Sequence, residues 1–272
     1  MILFPPCKIN LGLRIIRKRP DGYHDLETLF YPVPLKDALE MLPSGETTLH
    51  ITGTDIPGDP STNLCVKAHA MLAADFPAVR PVDIYLHKCI PIGAGLGGGS
   101  SDGASALLLL NRLFRLGLSR EDLLPYAARL GSDCPFFLYE GPCFASGRGE
   151  VLEAADLDMS AYKLVLVNPG IHVPTGWAFA QLRLRDETAP GATVPGVPTL
   201  SPVDIWKDTL FNDFEPAVVA AHPVIGRIKE QLYAAGAVYA AMSGSGSTVF
   251  GWFPKDRTIN LSLPDEYWTF YS

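Results

Sequence analysis

The alternation of apolar and polar residues predicts strands in the first third of the chain. In residues 7–16, every second side chain is apolar and the intervening positions are mostly polar. Further strands are predicted within residues 25–52, including 48–52, and are expected to pair antiparallel. Residues 82–90 alternate in the same way. Between these strands, Asn63 caps a predicted helix with a helical stripe of apolar residues.

A glycine-dense stretch follows the strand at 82–90. Residues 93–99 contain five glycines, and residues 104–116, mostly Ala and Leu, are a predicted helix with the polar residues 100–102 as expected caps. Backbone N–H groups can close on a phosphate where no Cβ intervenes, and a helix N-terminus favours negative charge. The stretch therefore predicts an anion site; the alternative interpretation is a flexible loop.

The second half of the chain mixes short strands and helices of its own. Its character changes near residue 155, which predicts two domains, 1–155 and 156–272. Residues 184–202 are rich in Pro, Gly and Thr and are a predicted surface loop. Strands are predicted at 141–146, 162–167, 237–242, 248–253 and 266–271, and helices at 119–130, 174–179 and 223–235.

Composition and charge narrow the class of protein. The 272 residues are 47% hydrophobic and 19% charged, as in ordinary globular proteins. A net charge of −7 argues against a broad nucleic-acid surface. The five scattered cysteines favour reduced thiols over a disulfide framework or a zinc site. No stretch reaches membrane-span length. We expect a cytoplasmic protein that binds neither nucleic acid nor a membrane.

The glycine stretch fails two familiar phosphate-binding patterns. The spacing Gly93-x-Gly95-x-x-Gly98 matches the dinucleotide fingerprint, but that fold needs a second strand about 20 residues later, where this chain starts another helix. The P-loop needs Gly-Lys-Ser/Thr, and this stretch has no lysine. An anion-binding helix start therefore remains, and its positive charge must come from elsewhere. Lys8, on the polar face of the first strand, is the candidate.

Five separated segments carry a resemblance to a known family. They are Lys-Ile-Asn-Leu at 8–11, Arg-Pro-Asp-Gly-Tyr-His at 19–24, Gly-Leu-Gly-Gly-Gly-Ser-Ser-Asp at 95–102, Gly-Ser-Asp-Cys-Pro-Phe-Phe at 131–137 and Ser-Gly-Ser-Gly-Ser-Thr at 243–248. In this order they resemble the GHMP superfamily of small-molecule kinases, such as galactokinase, homoserine kinase and mevalonate kinase. The Asp-Gly-Tyr-His segment and the triple glycine favour the branch that acts on a cytidine diphosphate derivative of methylerythritol.

The resemblance implies a fold, an activity and cofactors. The fold would be α+β with two domains, an N-terminal domain like domain 2 of ribosomal protein S5 and a C-terminal ferredoxin-like domain, with the active site in the cleft between them. The activity would be ATP- and Mg²⁺-dependent phosphorylation of the 2-hydroxyl of 4-diphosphocytidyl-2-C-methyl-D-erythritol, in non-mevalonate isoprenoid biosynthesis. The protein would be a monomer or homodimer. The alternatives are another small-alcohol kinase of the superfamily and a non-catalytic nucleotide-binding protein.

The resemblance also implies the reacting groups and the ATP site. Asp133 would be the catalytic base and Lys8 its cationic partner, because a tertiary alcohol needs a carboxylate within reach and charge stabilisation during transfer. Without the resemblance, Asp133 would be interpreted as a helix cap and Lys8 as an exposed strand lysine. Ser100 or Ser101 would lie near Mg²⁺. The implied ATP-binding residues are Asn63, Leu64, Lys88, Pro91, Gly93, Gly95, Leu96, Gly97, Gly98, Gly99, Ser100 and Ser101.

A second set of residues is implied in binding the acceptor. Tyr23, His24 and Phe179 would hold the cytosine by stacking and by hydrogen bonds from His24. Asn10 would bind near the reacting hydroxyl. Without the resemblance, Phe179 would be interpreted as a core residue. Gly244 and Gly246 would be interpreted as part of a hairpin turn. The implied substrate-binding residues are Asn10, Tyr23, His24, Arg148, Thr175, Phe179, Gly244 and Gly246.

The chain departs from the family pattern at a few positions. Cys7, Ser132 and Cys134 are small substitutions that should preserve the backbone. Gly103 stands where Ala is usual and would weaken the first helical turn by up to about 1 kcal/mol. Arg148 faces the cytidine site in the implied arrangement, where it would stack on the base or reach a phosphate.

Overall fold

A computed structural model describes residues 1–182 and 202–272. The predicted surface loop at 184–202 therefore lies almost wholly outside the described residues. The chain divides into two compact units. Unit 1 comprises Met1–Lys8, Pro32–Ile92 and Gly97–Glu140, and unit 2 comprises Ile9–Tyr31, Gly93–Leu96 and Gly141–Ser272.

The described residues form an α+β fold, as expected. The strands are β1 (Ile2–Leu3), β2 (Pro6–Lys18), β3 (His24–Lys36), β4 (Ala38–Pro43), β5 (Thr48–Gly53), β6 (Val82–Lys88), β7 (Cys143–Ser146), β8 (Val151–Ala154), β9 (Tyr162–Asn168), β10 (Tyr239–Met242), β11 (Val249–Pro254) and β12 (Trp268–Tyr271). The α-helices are α1 (Leu64–Asp75), α2 (Gly98–Leu113), α3 (Arg120–Leu130), α4 (Thr175–Gln181), α5 (Trp206–Thr209), α6 (Glu215–Ala221) and α7 (Pro223–Ala234). Short 3-10 helices cover Pro60–Thr62, Cys134–Leu138 and Val203–Ile205.

Unit 1 contains a four-stranded sheet in the order β1-β4-β6-β5. β4 pairs antiparallel with both β1 and β6, whereas β5 pairs parallel with β6, with Leu49 opposite Ile84. The expectation that residues 48–52 pair antiparallel is therefore wrong. The reason is that α1 connects β5 to β6. Such a helical crossover brings the chain back to the starting end of the sheet, so that β6 runs in the same direction as β5.

Helix α1 begins where the sequence indicates. The Asn63 side chain accepts a hydrogen bond from the N–H of Cys65 at 2.9 Å, as an N-cap does. Ala68 and Leu72 on its apolar stripe are fully buried. Helix α3 is also capped as predicted, by a reciprocal capping box between Ser119 and Asp122.

Helix α2 begins six residues earlier than predicted, inside the glycine stretch. Its N-cap is Gly97, in a left-handed conformation with φ 69°, and no side chain caps it. The expectation that residues 100–102 cap the helix is wrong, because these residues already lie within its first turns. The glycines at 98 and 99 take part in the helix, since nothing but their low propensity opposes helical dihedrals.

The glycine at position 103 lets α1 and α2 approach each other closely. An ideal Cβ on Gly103 would lie 2.8 Å from the Cβ of Leu64, a distance that real Cβ atoms do not reach. Alanine would improve helix propensity here but would push the two helices apart. The departure from the family pattern therefore has a packing reason in this chain.

Unit 2 has its main core on an antiparallel sheet in the order β10-β11-β9-β12. All residues of β9 from Leu164 to Asn168 are buried, as the continuous apolar run predicts. Helices α4, α6 and α7 contribute buried apolar side chains to the same core. Large members of this core are Val165, Val167, Phe214, Val218, Ile225, Ile228, Leu232 and Phe253.

A third four-stranded sheet has the order β2-β3-β7-β8. β7 pairs antiparallel with β3, with Leu29 opposite Phe144, and with β8. The alternation over residues 7–16 predicts β2 correctly. However, Lys8 and Asn10 on its polar face are only 3% exposed each, so both faces of this segment are buried.

Two expectations from composition are tested directly. Cys7, Cys65, Cys134 and Cys143 are buried free thiols and Cys89 is an exposed one, as predicted for reduced cysteines. Within residues 1–182 and 202–272, helices are too short or too polar to span a bilayer.

Candidate active site

The start of helix α2 in unit 1 has the geometry of an anion site. The first amides of a helix have no intrahelical partner, and those of residues 98–100 stand at this position. Gly99 is exposed, and a Cβ added to it would meet nothing within 4 Å. Gly99 is therefore accessible at a helix start, which is a place where the helix dipole stabilises a phosphate.

Lys8 and Asp133 form an ion pair in unit 1. The Nζ–Oδ2 distance is 3.3 Å, and the side chains are 4% and 34% exposed respectively. Asp133 precedes the 3-10 helix Cys134–Leu138 but makes no capping hydrogen bond, so the interpretation as a cap is wrong. The interpretation of Lys8 as an exposed strand lysine is also wrong, because it is buried.

Lys8 lies directly against the glycine stretch. An ideal Cβ on Gly97 would be 3.1 Å from Cε of Lys8 and 3.1 Å from Cζ of Phe137. A side chain at position 97 would displace the lysine, and the left-handed φ also favours glycine. Unit 1 therefore brings together an anion-binding helix start, a buried ammonium group and a carboxylate that solvent can reach.

The two serines of the helix start differ in access. Ser101 is fully buried, and its Oγ has no hydrogen-bond partner among the residues that the structure describes. Ser100 is partly exposed and lies near Cys134. Burial raises the pKa of the Cys134 thiol to about 12, and a hydrogen bond with Ser100 opposes part of that rise. Ser100 is thus the serine that fits a cation bound beside a phosphate.

The other ATP-site residues predicted in unit 1 occupy varied environments. Asn63 uses its side chain to cap α1. Leu64 and Pro91 are partly exposed. Lys88 is buried, and its ammonium group pairs with Asp37 and Asp102. Contact of these predicted residues with a nucleotide stays a prediction. Within residues 1–182 and 202–272, no group of three or more His, Cys, Asp and Glu side chains is placed to hold a metal ion. A metal ion at this site would therefore need phosphate oxygens among its ligands.

In unit 2, the first glycine stretch contacts the second glycine loop. The Oγ of Ser243 donates to the carbonyl oxygen of Gly95 at 2.9 Å and accepts from the N–H of Asn10 at 3.2 Å. An ideal Cβ on Gly95 would be 2.1 Å from the Ser243 carbonyl oxygen, and one on Gly244 would be 3.2 Å from that of Gly95. Residues 243–248 join β10 to β11, so the loop is a hairpin turn that also supports the first glycine stretch.

Asn10 has a fixed side chain. Its Nδ2 donates to the Oγ1 of Thr28 at 3.0 Å, and that hydroxyl donates to the carbonyl oxygen of Gly12 at 2.5 Å. Sequence reasoning missed Thr28 and Ser243 as partners of Asn10, because both come from distant strands and loops. Leu96 is buried, so it supports the loop through packing.

The residues predicted to hold cytosine make two side-chain contacts within unit 2, one between two rings and one between a guanidinium group and a ring. The rings of His24 and Phe179 are stacked with centroids 4.6 Å apart and planes 19° apart. The guanidinium of Arg148 lies 4.8 Å from the centroid of the Tyr23 ring and is bound by Glu150. Phe179 is only partly buried, although it also packs against the unit 2 core. His24 and Phe179 thus form a stacked ring pair, and Arg148 and Tyr23 form a cation–π pair, each partly exposed.

Thr175 approaches the second glycine loop in unit 2. Its Oγ1 lies 3.1 Å from the Oγ of Ser245. Nearby in the chain, His172 lies over the first glycine stretch, since an ideal Cβ on Gly93 would be 2.9 Å from its Nδ1. Gly246 has φ 94°, so glycine is required there by its backbone. Sequence reasoning missed His172, which no motif singles out.

Two titratable groups near the aromatic pairs are shifted. Burial, with a smaller contribution from Lys18, lowers the pKa of His24 below its usual value, which favours a neutral imidazole at pH 7. Burial opposes the charge on Glu150, but hydrogen bonds from the backbone and from Arg148 outweigh it and lower its pKa. Arg148 therefore faces a fully ionised partner.

Comparison with known proteins identifies the two domain families of the chain. The family of GHMP kinases N terminal domains matches residues 63–141, and that of GHMP kinases C terminal domains matches residues 204–261. These matches show that the chain has the two-domain architecture of ATP-dependent small-molecule kinases, as predicted.

Curated relatives identify one family within the GHMP kinases. The 4-diphosphocytidyl-2-C-methyl-D-erythritol kinase of Bacteroides fragilis is 51% identical over 95% of this chain and 94% of the relative. That of Bacteroides thetaiotaomicron is 48% identical over 98% of this chain and 96% of the relative. A crystal structure of 4-(cytidine 5'-diphospho)-2C-methyl-D-erythritol kinase has a TM-score of 0.76 and 34% identity over 92% of this chain and 89% of that one. The chain belongs to this family of GHMP kinases.

Proposed function

We propose that this chain phosphorylates the 2-hydroxyl of 4-diphosphocytidyl-2-C-methyl-D-erythritol with ATP, in isoprenoid precursor biosynthesis. The observation that carries the proposal is the Lys8–Asp133 ion pair at 3.3 Å, held against Gly97 at the start of α2. The family membership supports the choice of acceptor. Another small-alcohol kinase activity is the alternative outcome of the experiment below.

Asp133 is the proposed base. In the proposed step, its carboxylate accepts the proton of the acceptor hydroxyl while the hydroxyl oxygen forms a bond to the γ-phosphorus and the bond to ADP breaks. The proton then passes from Asp133 to water. The greater exposure of Asp133 suits this role, since the acceptor must reach its oxygen.

Lys8 is the proposed cationic partner. Its buried ammonium group keeps a fixed positive charge beside the carboxylate and the helix start. Preorganised charge in a water-poor site stabilises the charge that develops on the transferring phosphoryl group. Because Gly97 has no Cβ, the stem of Lys8 can pack directly against its backbone, and this packing restricts the position of the ammonium group.

The ATP phosphates are proposed to lie on the free amides of residues 98–100, since the N–H of Ser101 already donates to the carbonyl oxygen of Gly97. Mg²⁺ suits this site because it binds through one or two protein oxygens together with phosphate oxygens, and the partly exposed hydroxyl of Ser100 is the proposed protein ligand. When bound, the ion would neutralise phosphate charge during transfer.

The cytosine is proposed to bind at the aromatic residues of unit 2. Tyr23 is 53% exposed and offers a ring face, and the neutral imidazole of His24 can both donate and accept a hydrogen bond. Thr175 and the glycines of the second loop are proposed to contact the remainder of the substrate. Asn10 is proposed to bind near the reacting hydroxyl.

A transfer assay tests the proposal. The protein is incubated with ATP, Mg²⁺ and either 4-diphosphocytidyl-2-C-methyl-D-erythritol or the same alcohol without the cytidine group, and ADP and phosphorylated product are quantified. The expected result is stoichiometric product from the cytidine compound at a far higher kcat/KM. Preference for the alcohol lacking cytidine would contradict the proposed acceptor, and absence of ADP release with every alcohol would contradict kinase activity.

A further inference from the structure

A buried cluster of three charged side chains supports the start of helix α2 in unit 1. Lys88, the last residue of β6, places its ammonium group between the carboxylates of Asp37 and Asp102. The distance from Nζ to Oδ2 of Asp102 is 2.7 Å, and Asp37 forms the second ion pair. None of the three side chains is more than 4% exposed. These groups therefore cannot take part in chemistry on a ligand in solvent.

Asp37 ties the cluster to the segment that enters the glycine stretch. It is the single residue between β3 and β4. While one of its oxygens binds Lys88, the other accepts from the N–H groups of Cys89 at 2.6 Å and Ile90 at 2.9 Å. One carboxylate thus fixes a strand connection, the end of β6 and the two residues just before Pro91.

Asp102 ties the cluster to helix α2. It lies in the first turns of the helix, and its Oδ2 is held by Lys88. Its Oδ1 is buried and has no hydrogen-bond partner in the described part of the chain. The Asp102 side chain is thus bound through one oxygen only, by the lysine at the end of β6.

The backbone packs closely around Lys88 as well. An ideal Cβ on Gly98 would be 2.9 Å from Cγ2 of Ile90 and 3.3 Å from Nζ of Lys88. One on Gly53 would be 2.3 Å from the carbonyl oxygen of Lys88. The first residue of α2 therefore rests on the cluster, and its position depends on where Lys88 is held.

The cluster has more acidic groups than basic ones. One ammonium group and two carboxyl groups lie together in the interior, and buried ion pairs are often no more stabilising than apolar packing. Burial raises the pKa of Asp102 to about 7 against the attraction of Lys88. Burial opposes the charge on Lys88 too, but the two carboxylates outweigh it and raise its pKa. Such a cluster is expected where it fixes geometry.

We propose that Asp37 and Asp102 are positioning residues for ATP. Through Lys88 they fix the first turn of α2 against the end of β6 and so orient the free backbone N–H groups of residues 98–100. The inference rests on the proposed function, which places the ATP phosphates on these amides. Lys88 then acts on ATP through the helix start, whereas the family resemblance implies a direct contact with the nucleotide.

Variants at Asp102 test the proposal. Asp102→Ala removes the acceptor that links Lys88 to α2, leaving Asp37 as its other partner, whereas Asp102→Asn keeps an oxygen that Lys88 can reach. We expect Asp102→Ala to weaken ADP binding, measured by calorimetry, and to raise KM for ATP by at least about tenfold, because small misplacements of a phosphate site are costly. KM for the acceptor should stay unchanged, and Asp102→Asn should restore most of the ADP affinity.

A matched control separates positioning from stability. Asp122→Ala removes an exposed helix-capping carboxylate of α3 and should lower the melting temperature while leaving ADP affinity unchanged. If Asp102→Ala lowered only the melting temperature, or raised both KM values equally, the proposal would be overturned.

A second variant covers the case in which Asp102→Ala does not fold. Both oxygens of Asp37 accept hydrogen bonds, so Asp37→Asn keeps the shape of the side chain but turns an NH2 group toward a donor, whereas Asp102 uses only one oxygen. The same split between ADP affinity and acceptor KM is therefore expected for Asp37→Asn. Normal ADP affinity in this variant would overturn the proposal. Because ADP binding is measured without an acceptor, a wrong acceptor assignment in the proposed function would leave this result interpretable.

Discussion

Two lysines pair with aspartates in unit 1, and they differ in what solvent can reach. The Lys8 pair has one carboxylate, Asp133, that is 34% exposed, whereas Lys88 and both of its carboxylates are almost completely buried. Each lysine also contacts a different glycine of the same stretch, Gly97 or Gly98. Similar lysine–aspartate contacts thus suit the two roles that we propose: an accessible carboxylate can exchange a proton with a substrate, whereas a buried cluster can only hold the backbone.

The largest effect that tests this comparison is expected at Lys8. Lys8→Met keeps the apolar stem against Gly97 but removes the charge, so kcat should fall by about 10²–10³-fold, as when one preorganised electrostatic group is removed from an active site. Steady-state kinetics with saturating ATP measures it. Lys8→Arg, which keeps the charge, should retain more activity. Equal losses in both variants would mean that the charge of Lys8 is not what matters.

Lys88→Met should act mainly on stability and nucleotide binding. Removing the ammonium group leaves the buried carboxyl groups of Asp37 and Asp102 without a cation, which should cost about 3–5 kcal/mol of unfolding free energy. Chemical denaturation monitored by circular dichroism measures this cost. The residual kcat at saturating ATP should stay well above that of Lys8→Met. A lower kcat in Lys88→Met than in Lys8→Met, with an intact fold, would reverse the assignment of the two roles.

The two glycines offer a smaller and more local test. Gly97→Ala places a Cβ against Lys8 and forces a left-handed conformation that costs about 1–2 kcal/mol for residues other than glycine, so kcat should fall. Gly98→Ala presses on Ile90 and Lys88, so KM for ATP should rise more than kcat falls. Gly45→Ala, in an open turn of unit 1, is the control. Indistinguishable kinetic profiles for the first two variants would argue against separate roles.

The smallest effect concerns a group without an ion pair, His24. Because burial and Lys18 lower its pKa, His24 should stay neutral below the usual histidine pKa of about 6.5, and KM for the cytidine substrate should rise only at more acidic pH. Lys18→Ala removes a repelling charge, raises the pKa and should move that rise to higher pH. Lys67→Ala, at an exposed position of α1, should have no such effect. A wild-type KM that rises at the usual histidine pKa, and does so in Lys18→Ala too, would contradict a shifted His24.

Local patterns predicted most elements but not every pairing. The alternation at 7–16, the capping residues Asn63 and Ser119, and the apolar run at 162–167 each predicted an element that the structure contains. Pairing depends on how a connection runs in space, so the parallel partner of β5 was not predicted. The start of α2 was misplaced because glycine has low helix propensity, while the packing of α1 against residue 103 favours helix there.

The candidate site was predicted unevenly for a similar reason. Lys8 and Asp133 stand in recognisable motifs, and the structure pairs them. Asp37 has no motif, and 51 residues separate it from Lys88. Its proposed role can be inferred only from the fold, because the fold buries this aspartate between two strands and places its carboxylate against Lys88.

The central claim is that Asp133 takes the proton of the acceptor hydroxyl. The most direct measurement is kcat of Asp133→Asn together with its ADP affinity, since Asn keeps the shape of the side chain but cannot act as a base. We predict that kcat falls by about 10²–10⁴-fold, the usual contribution of a general base, while ADP binds normally. A near-normal kcat in Asp133→Asn would contradict the claim.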